Sequence, residues 1–286
     1  MPIRIAYINF WVDPKNDSYL TQFISENIGP VELVRFNENP DLLIASCFGD
    51  INRVLHTRAK KKMFYYGENL INYPPYNDDQ LLHKTFDLVV GFKSSNGHIR
   101  FPLWLIYYPY YNYNADDNVL KYVQAEYDQN MQTDKTIFAT HVARHDRNGL
   151  RSLICNEVQK YGKVMYPGAF RNNTNRIGLS SKDKIDYISH STFNICPENS
   201  SFEGYCTEKI FQAFEGGTIP LYWGIDSPEP GIIHTNKYCF CKGVDAIEHA
   251  ITHPDEYTKG PLFTDDAPKI VSDFYQNLIE HIRVLI

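Results

Sequence analysis

The sequence predicts an α/β protein built as two successive strand–helix series. Three observations carry this. Short apolar runs rich in Ile, Val and Phe recur along the chain, each the length of a buried strand. Between them lie stretches with apolar residues at helical spacing, so strand and helix alternate as in a parallel sheet covered by helices. A polar, charged stretch at 114–134, with no clear period after Tyr122, interrupts the alternation once. At 286 residues the chain is long enough for two domains of ordinary size. Two Rossmann-like domains facing a central cleft are expected, over 1–118 and 135–286, joined by a linker over 119–134.

The first series begins with a β-branched strand over Ile3 to Phe10. A helix is expected from Ser18 to Asn27, an apolar strand from Asp41 to Phe48 ending at Gly49, and a helix from Arg53 to Ala59. The strand Met63 to Tyr66 runs into Gly67-Glu68-Asn69, and Phe86 to Phe92 is a further strand. The segment Phe101 to Tyr113 is aromatic and carries Pro102 and Pro109. Tyr107, Tyr108, Tyr110, Tyr111 and Tyr113 are read as interdomain packing residues rather than a ligand surface.

The second series opens with a strand over Thr136 to His141 and a helix over Arg147 to Lys160. Lys163 to Tyr166 is a strand, a polar loop runs through Arg176, and Lys182 to Ser189 is helical. Phe193 to Cys196 is an apolar strand broken by Pro197 and the turn residues Asn199 to Ser201. Thr207 is a suitable helix N-cap, with Glu208 in the first turn. Ile210, Phe211 and Phe214 repeat at helical spacing, and Gly216-Gly217 stops the helix. Thr218 to Trp223 and Lys237 to Cys241 are strands, Asp245 to Thr252 a helix, and 268–284 a final amphipathic helix.

Composition excludes several classes. The net charge of −6 leaves no global nucleic-acid footprint. Lys60-Lys61-Lys62 reads as a solvated strand entrance. No apolar run reaches transmembrane length. The opening Met1-Pro-Ile-Arg-Ile reads as a strand rather than a leader. The six cysteines form no Cys-x-x-Cys pair and no His-flanked metal spacing. They read as small buried hydrophobes in a reducing cytosol, which predicts a cytoplasmic protein; membrane contact is expected to be peripheral at most.

The chemistry concentrates in residues 193–224. In open α/β sheets ligands bind beyond the carboxyl ends of strands, and helix N-termini hold phosphates. Asn199, Tyr205, Glu208 and Lys209 fall at such a place. The order Pro197-Glu198-Asn199, Tyr205-Cys206-Thr207-Glu208-Lys209 and Ile219-Pro220 closely resembles the donor-binding motif of the α-1,3/4-fucosyltransferases, glycosyltransferase family 10. That family has Phe where Pro197 stands. The chain resembles the bacterial branch of the family, and the resemblance implies the two-domain arrangement called GT-B.

The resemblance also assigns roles. It implies GDP-fucose as donor substrate, no required cofactor, and an oligosaccharide or glycolipid acceptor. The expected reaction moves L-fucose, with inversion, to the 3-hydroxyl or 4-hydroxyl of N-acetylglucosamine in a galactose-containing glycan. Other readings are a GT-B transferase for another nucleotide sugar, or a binding module that kept the fold. The chain has no Asp-x-Asp, so Lys and Arg are expected to neutralise the leaving diphosphate and no metal is assigned. Lys209 is one such cation, and Arg147 aligns with the family's arginine, with Arg144 close enough to be the ligand instead. Glu208 suits ribose hydroxyls or simply the helix dipole. Asn199 contacts the donor or caps its own turn, and Tyr205 packs on the nucleotide or lines the wall between domains. Glu68 matches the family's general base, with Glu198 and His141 as competitors. Trp11, after Asn9-Phe10, stacks on an acceptor sugar or packs in the core.

Overall fold

The structure, a computed structural model, describes residues 1–11, 18–108 and 118–286. Tyr110, Tyr111 and Tyr113 lie outside the described residues. The chain divides into two units, Met1–Asp116 with Phe202–Tyr205 and Lys269–Ile286, and Asp117–Ser201 with Cys206–Pro268.

In the first unit β1 (Ile3–Ile8), α1 (Tyr19–Asn27), β2 (Val31–Leu33), β3 (Leu42–Ala45), α2 (Ile51–His56), β4 (Lys61–Tyr65), α3 (Asp79–Thr85), β5 (Leu88–Gly91) and β6 (Ile99–Arg100) follow in order. The strands form one sheet in the order β2-β1-β3-β4-β5-β6, parallel at every pairing. β3 and β5 are buried along their whole length, which is why they read as continuous apolar runs rather than alternating ones.

The second unit contains α4 (Asn118–Asn130), β7 (Ile137–Thr140), α5 (Leu150–Val158), β8 (Val164–Met165), α6 (Ser181–Ile188), β9 (Ser191–Ile195), α7 (Glu208–Glu215), β10 (Ile219–Tyr222), β11 (Cys239–Phe240), α8 (Val244–Thr252) and α9 (Asp255–Thr258). Its sheet runs β11-β10-β9-β7-β8, again parallel throughout. In both sheets the strand order reverses beside the first strand, between β1 and β3 and between β7 and β9. These are the switch points where a doubly wound sheet opens a crevice at its carboxyl edge.

Two expectations about domain organisation differ from the structure. The stretch read as a linker holds α4, whose Val119, Leu120, Val123 and Tyr127 are buried. That inward stripe was masked by the Asn, Asp and Gln residues around it. The helix is anchored at its end: Asn130 Nδ2 donates to the Glu215 carbonyl at 2.7 Å. Lys135 Nζ donates to the carbonyls of Asn130, Ser189 and Gly216 at 2.9, 2.7 and 3.3 Å, and burial pulls its pKa down to about 8. Gly217 has φ 59, and a Cβ there would stand 2.5 Å from the Asn130 carbonyl carbon.

The second difference is the last helix, α10 (Ala267–Leu285). It was expected with the C-terminal domain over 135–286, but from Lys269 it belongs to the first unit. Its stripe Val271, Tyr275, Leu278 and Ile282 is buried, and Tyr275 packs on Phe101 (centroids 5.5 Å apart) and on Phe23 (6.1 Å). Periodicity shows that a helix has an inward face, not which sheet receives it.

The six cysteines are buried and unpaired. No helix among the described residues is long and apolar enough to cross a membrane.

Candidate active site

At the carboxyl edge of the second sheet, β7 ends at Thr140 and β9 at Ile195, on the two sides of the switch point. A cavity of about 80 Å³ opens there, lined among others by His141, Arg151, Lys184, Pro197, Glu208 and Lys209. They come from several separate elements. His141 follows β7, Arg151 lies in the first turn of α5, Lys184 is on α6, and Glu208 and Lys209 open α7.

Glu198 organises the start of α7. It is almost fully buried, and its carboxylate accepts from the Thr207 backbone N–H at 2.7 Å and from Thr207 Oγ1 at 2.7 Å. Lys209 Nζ donates to it at 2.9 Å and to Thr207 Oγ1 at 2.7 Å. Thr207 is the N-cap residue, but its side chain makes no cap bond to the helix; the hydroxyl turns to Glu198 instead. The cap expectation is thus corrected: a carboxylate from the preceding loop meets the helix start, and a buried carboxylate needs those donors. This also explains how Lys209 tolerates the positive end of the helix dipole.

The electrostatics follow. Burial alone would raise the Glu208 carboxyl, but Lys209 and Lys184 outweigh it and hold the group below its usual range. Lys209 Nζ is 3.6 Å from Glu208 Oε1. Burial lowers the Lys184 ammonium, against the pull of Glu208, and Lys184 donates to Gln212 Oε1 at 2.7 Å. Burial holds His141 neutral, with a pKa of about 4. Its Nδ1 meets the Ile195 carbonyl at 2.7 Å, so Nδ1 carries the hydrogen. Lys184, Lys209 and Arg151 thus face Glu208 and the buried Glu198, a surplus of positive charge suited to an anion.

Asn199 Oδ1 accepts from Arg151 Nη2 at 2.7 Å, so the motif asparagine orients a guanidinium. Arg147 and Arg144 lie exposed in the loop before α5, outside the cavity lining. Arg151 and Lys184 were not singled out from the sequence. The only signal for Lys184 is its position four residues before the inward-facing Ile188.

The first sheet presents a different edge. Glu68 follows β4, half-buried. Gly67 packs tightly before it: a Cβ there would stand 2.5 Å from Leu103 Cδ1, so a larger residue requires that leucine to shift. Asn69 caps the next turn by accepting from Ile71 N at 3.2 Å. Burial pushes the Cys47 thiol beyond β3 up to about 12, with the Glu68 charge adding to it. Tyr205 belongs to this unit, where its hydroxyl donates to Glu68 Oε2 at 3.3 Å. Beyond β1, Asn9 holds φ 59, fixed by bonds from its Nδ2 to the Asp50 carbonyl at 3.0 Å and the Tyr76 hydroxyl at 2.9 Å. Trp11 then projects with 43% of its surface exposed, edge-on to Phe48 at 5.6 Å. Tyr108 is buried and Tyr107 is exposed.

Two doubly wound parallel sheets, one with a cationic cavity at its switch point, define an α/β protein of the GT-B fold class. Sequence comparison goes further. Residues 5–107 match the model of the Alpha-(1,3)-fucosyltransferase FucT N-terminal domain, and residues 131–245 match that of the Glycosyltransferase family 10 (fucosyltransferase) C-terminal region. The chain belongs to glycosyltransferase family 10, the fucosyltransferases. It is 27% identical to the Alpha-(1,3)-fucosyltransferase FucT of Helicobacter pylori over 318 aligned positions. That alignment covers 97% of this chain and 63% of the relative, so the chain spans under two thirds of the relative's length. The fold is similar to a crystal structure of an α1,3-fucosyltransferase, with TM-score 0.71, 23% identity, and coverage of 99% of this chain and 89% of that one. It is also similar to a crystal structure of an α1,3-fucosyltransferase with GDP-fucose, with TM-score 0.65, 23% identity, and coverage of 98% and 90%. Among the described residues no group of three or more His, Cys, Asp or Glu is arranged to hold a metal ion.

Proposed function

We propose that the protein is an inverting fucosyltransferase. It moves L-fucose from GDP-fucose to the 3-hydroxyl of N-acetylglucosamine in a galactose-containing oligosaccharide or glycolipid. The observation that carries this is the cavity at the second switch point, with Arg151, Lys184 and Lys209 beside Glu208. A nucleoside diphosphate offers the matching pair of features: anionic oxygens for the cations and ribose hydroxyls for a carboxylate. The named relatives support fucose as the sugar.

In the proposed step the acceptor O3 attacks the anomeric carbon and Glu68 takes the proton that O3 loses. The bond from the anomeric carbon to the phosphate oxygen breaks, and GDP leaves with the electron pair. Lys209, Arg151 and Lys184 neutralise that charge, and Arg147 meets the diphosphate from the exposed loop. Asn199 holds Arg151 in place, and Trp11 offers a stacking face to an acceptor sugar.

The test incubates the protein with GDP-fucose, GDP-mannose, UDP-galactose and CMP-sialic acid, each with N-acetyllactosamine. GDP-fucose alone is expected to give product. NMR of that product is expected to show fucose at the 3-position of N-acetylglucosamine, with anomeric configuration opposite to the donor's. Transfer from another donor, or donor binding with no turnover, overturns the reading.

A further inference from the structure

The motif tyrosine has a place that the donor-binding reading does not explain. Tyr205 is 1% exposed and lies in the core of the first unit, with Phe64, Tyr66 and Phe92. Its ring stands edge-on to Phe92 at 5.1 Å, and its hydroxyl reaches Glu68. The short segment that delivers it is fixed at several points. Gly204 has φ 71, and a Cβ there would collide with the Phe92 carbonyl and the Arg100 guanidinium. Arg100 Nη1 donates to the Phe92 carbonyl and, at 3.3 Å, to the Gly204 carbonyl. Tyr205 N donates to the Phe202 carbonyl at 3.0 Å, and the Phe202 ring lies edge-on to Phe92 at 6.1 Å.

We propose that Tyr205 is a positioning residue for Glu68: its hydroxyl, held by the Gly204–Arg100 clamp, fixes the carboxylate in the orientation that accepts the acceptor's proton. This rests on the reading of Glu68 as base. A glutamate has three rotatable side-chain bonds, and a base off its geometry loses rate without losing substrate affinity. A phenol donor to one carboxylate oxygen restrains those rotations. It also favours the charged carboxylate, the form that acts as base. The Cys47 thiol nearby is uncharged at working pH and does not compete for the hydroxyl as an anion.

The test is Tyr205→Phe, which keeps the ring against Phe92 and removes only the hydroxyl. The expected result is a fall in kcat of roughly three- to tenfold, the size of one lost hydrogen bond. KM for acceptor and calorimetric Kd for GDP should stay at parental values. The acid limb of the kcat profile should move to higher pH, because the carboxylate loses a donor that favours its charged form. A structural role would lower the melting temperature and leave that limb in place. Tyr205→Phe added to Glu68→Gln should cost nothing further in kcat. Parental kcat with an unmoved acid limb overturns the proposal, as does weakened GDP binding, which would make Tyr205 a donor contact. Glu68→Gln separates the two layers. If it is inactive while Tyr205→Phe is parental, only the positioning role fails. If Glu68→Gln turns over normally, the base reading and this inference fall together.

Discussion

The carboxyl edges of the two sheets share a topology and differ in chemistry. Both reverse strand order beside their first strand, so both open a crevice there. The second edge gathers Arg151, Lys184, Lys209 and Glu208 around a small cavity. The first edge has Glu68 and an aromatic surface of Trp11, Phe48 and Tyr73, with Trp11–Phe48 centroids 5.6 Å and Phe48–Tyr73 centroids 5.4 Å apart. Winding fixes where a ligand can enter. Which ligand enters is decided by the few residues that follow each strand: cationic side chains in one case, a carboxylate beside flat aromatic faces in the other, which the proposed function reads as the diphosphate side and the acceptor side.

If this division is right, the two edges fail in different ways. The largest effect should come from Glu68→Gln, which keeps size and hydrogen-bonding reach but cannot take a proton. Transfer should slow by roughly 10²–10⁴-fold at saturating acceptor, with GDP affinity unchanged. The acid limb of the parental pH profile should vanish. Single-turnover transfer measured beside calorimetric GDP binding decides it. Lost binding together with lost turnover would move Glu68 to the donor side and dissolve the contrast.

Lys209→Met is the complementary break. It keeps most of the stem and removes the charge. GDP binding should weaken by about 1.5–3 kcal/mol, the scale of a charge-assisted contact. Some stability should be lost too, since Glu198 keeps the Thr207 bonds but loses its ion pair. A folded variant with parental GDP affinity would mean that Lys209 serves Glu198 alone.

Much of this division was legible in the sequence, and the exceptions have physical causes. The long strands announced themselves because burial on both faces demands unbroken apolar runs. β2 and β6, with three and two residues, are too short to carry any period. α3 went unread, although Asp78 caps it by accepting from Gln80 N at 2.9 Å and Leu81 N at 3.1 Å. The site was legible where it is contiguous. Asn199, Glu208 and Lys209 share one motif, whereas Arg151 and Lys184 reach the same cavity from separate helices, and no spacing rule joins them. Tyr205 stands in the same motif, yet its contact with Glu68 spans 137 positions and is visible only in the fold.

The second edge should also show itself in stability. His141 is buried and neutral, with a pKa of about 4. The unfolded chain therefore binds a proton near the ordinary value of about 6.5 while the folded chain does not. Stability from this group is fully present above pH 6.5 and is lost as pH falls towards 4. The loss should reach about 2 kcal/mol by pH 5. His141→Asn, which can still donate to the Ile195 carbonyl, should flatten denaturant-measured stability between pH 6.5 and 5 by one proton's worth of slope. His98, lowered to about 4 chiefly by burial, and His145, lowered by burial and by the charges of Arg147 and Arg151, add slope of the same sign. An unchanged slope in the variant would show that His141 is protonated in the folded protein.

The smallest effect, and the one that most sharpens the contrast, belongs to Trp11. Its ring is 43% exposed and is held edge-on to Phe48 and at 5.3 Å from Phe10. An aromatic face fixed by neighbours and open to solvent can stack on a sugar at little entropic cost. Trp11→Ala should raise KM for N-acetyllactosamine several-fold, about 1 kcal/mol. The value of kcat at saturating acceptor and the Kd for GDP should not move. Trp11→Phe should recover part of the loss, since a smaller ring still offers a face. If KM is unchanged in both variants, the aromatic surface is packing and the acceptor lies elsewhere. If GDP binding weakens instead, the first edge also serves the donor, and the separation of roles between the two sheets is wrong.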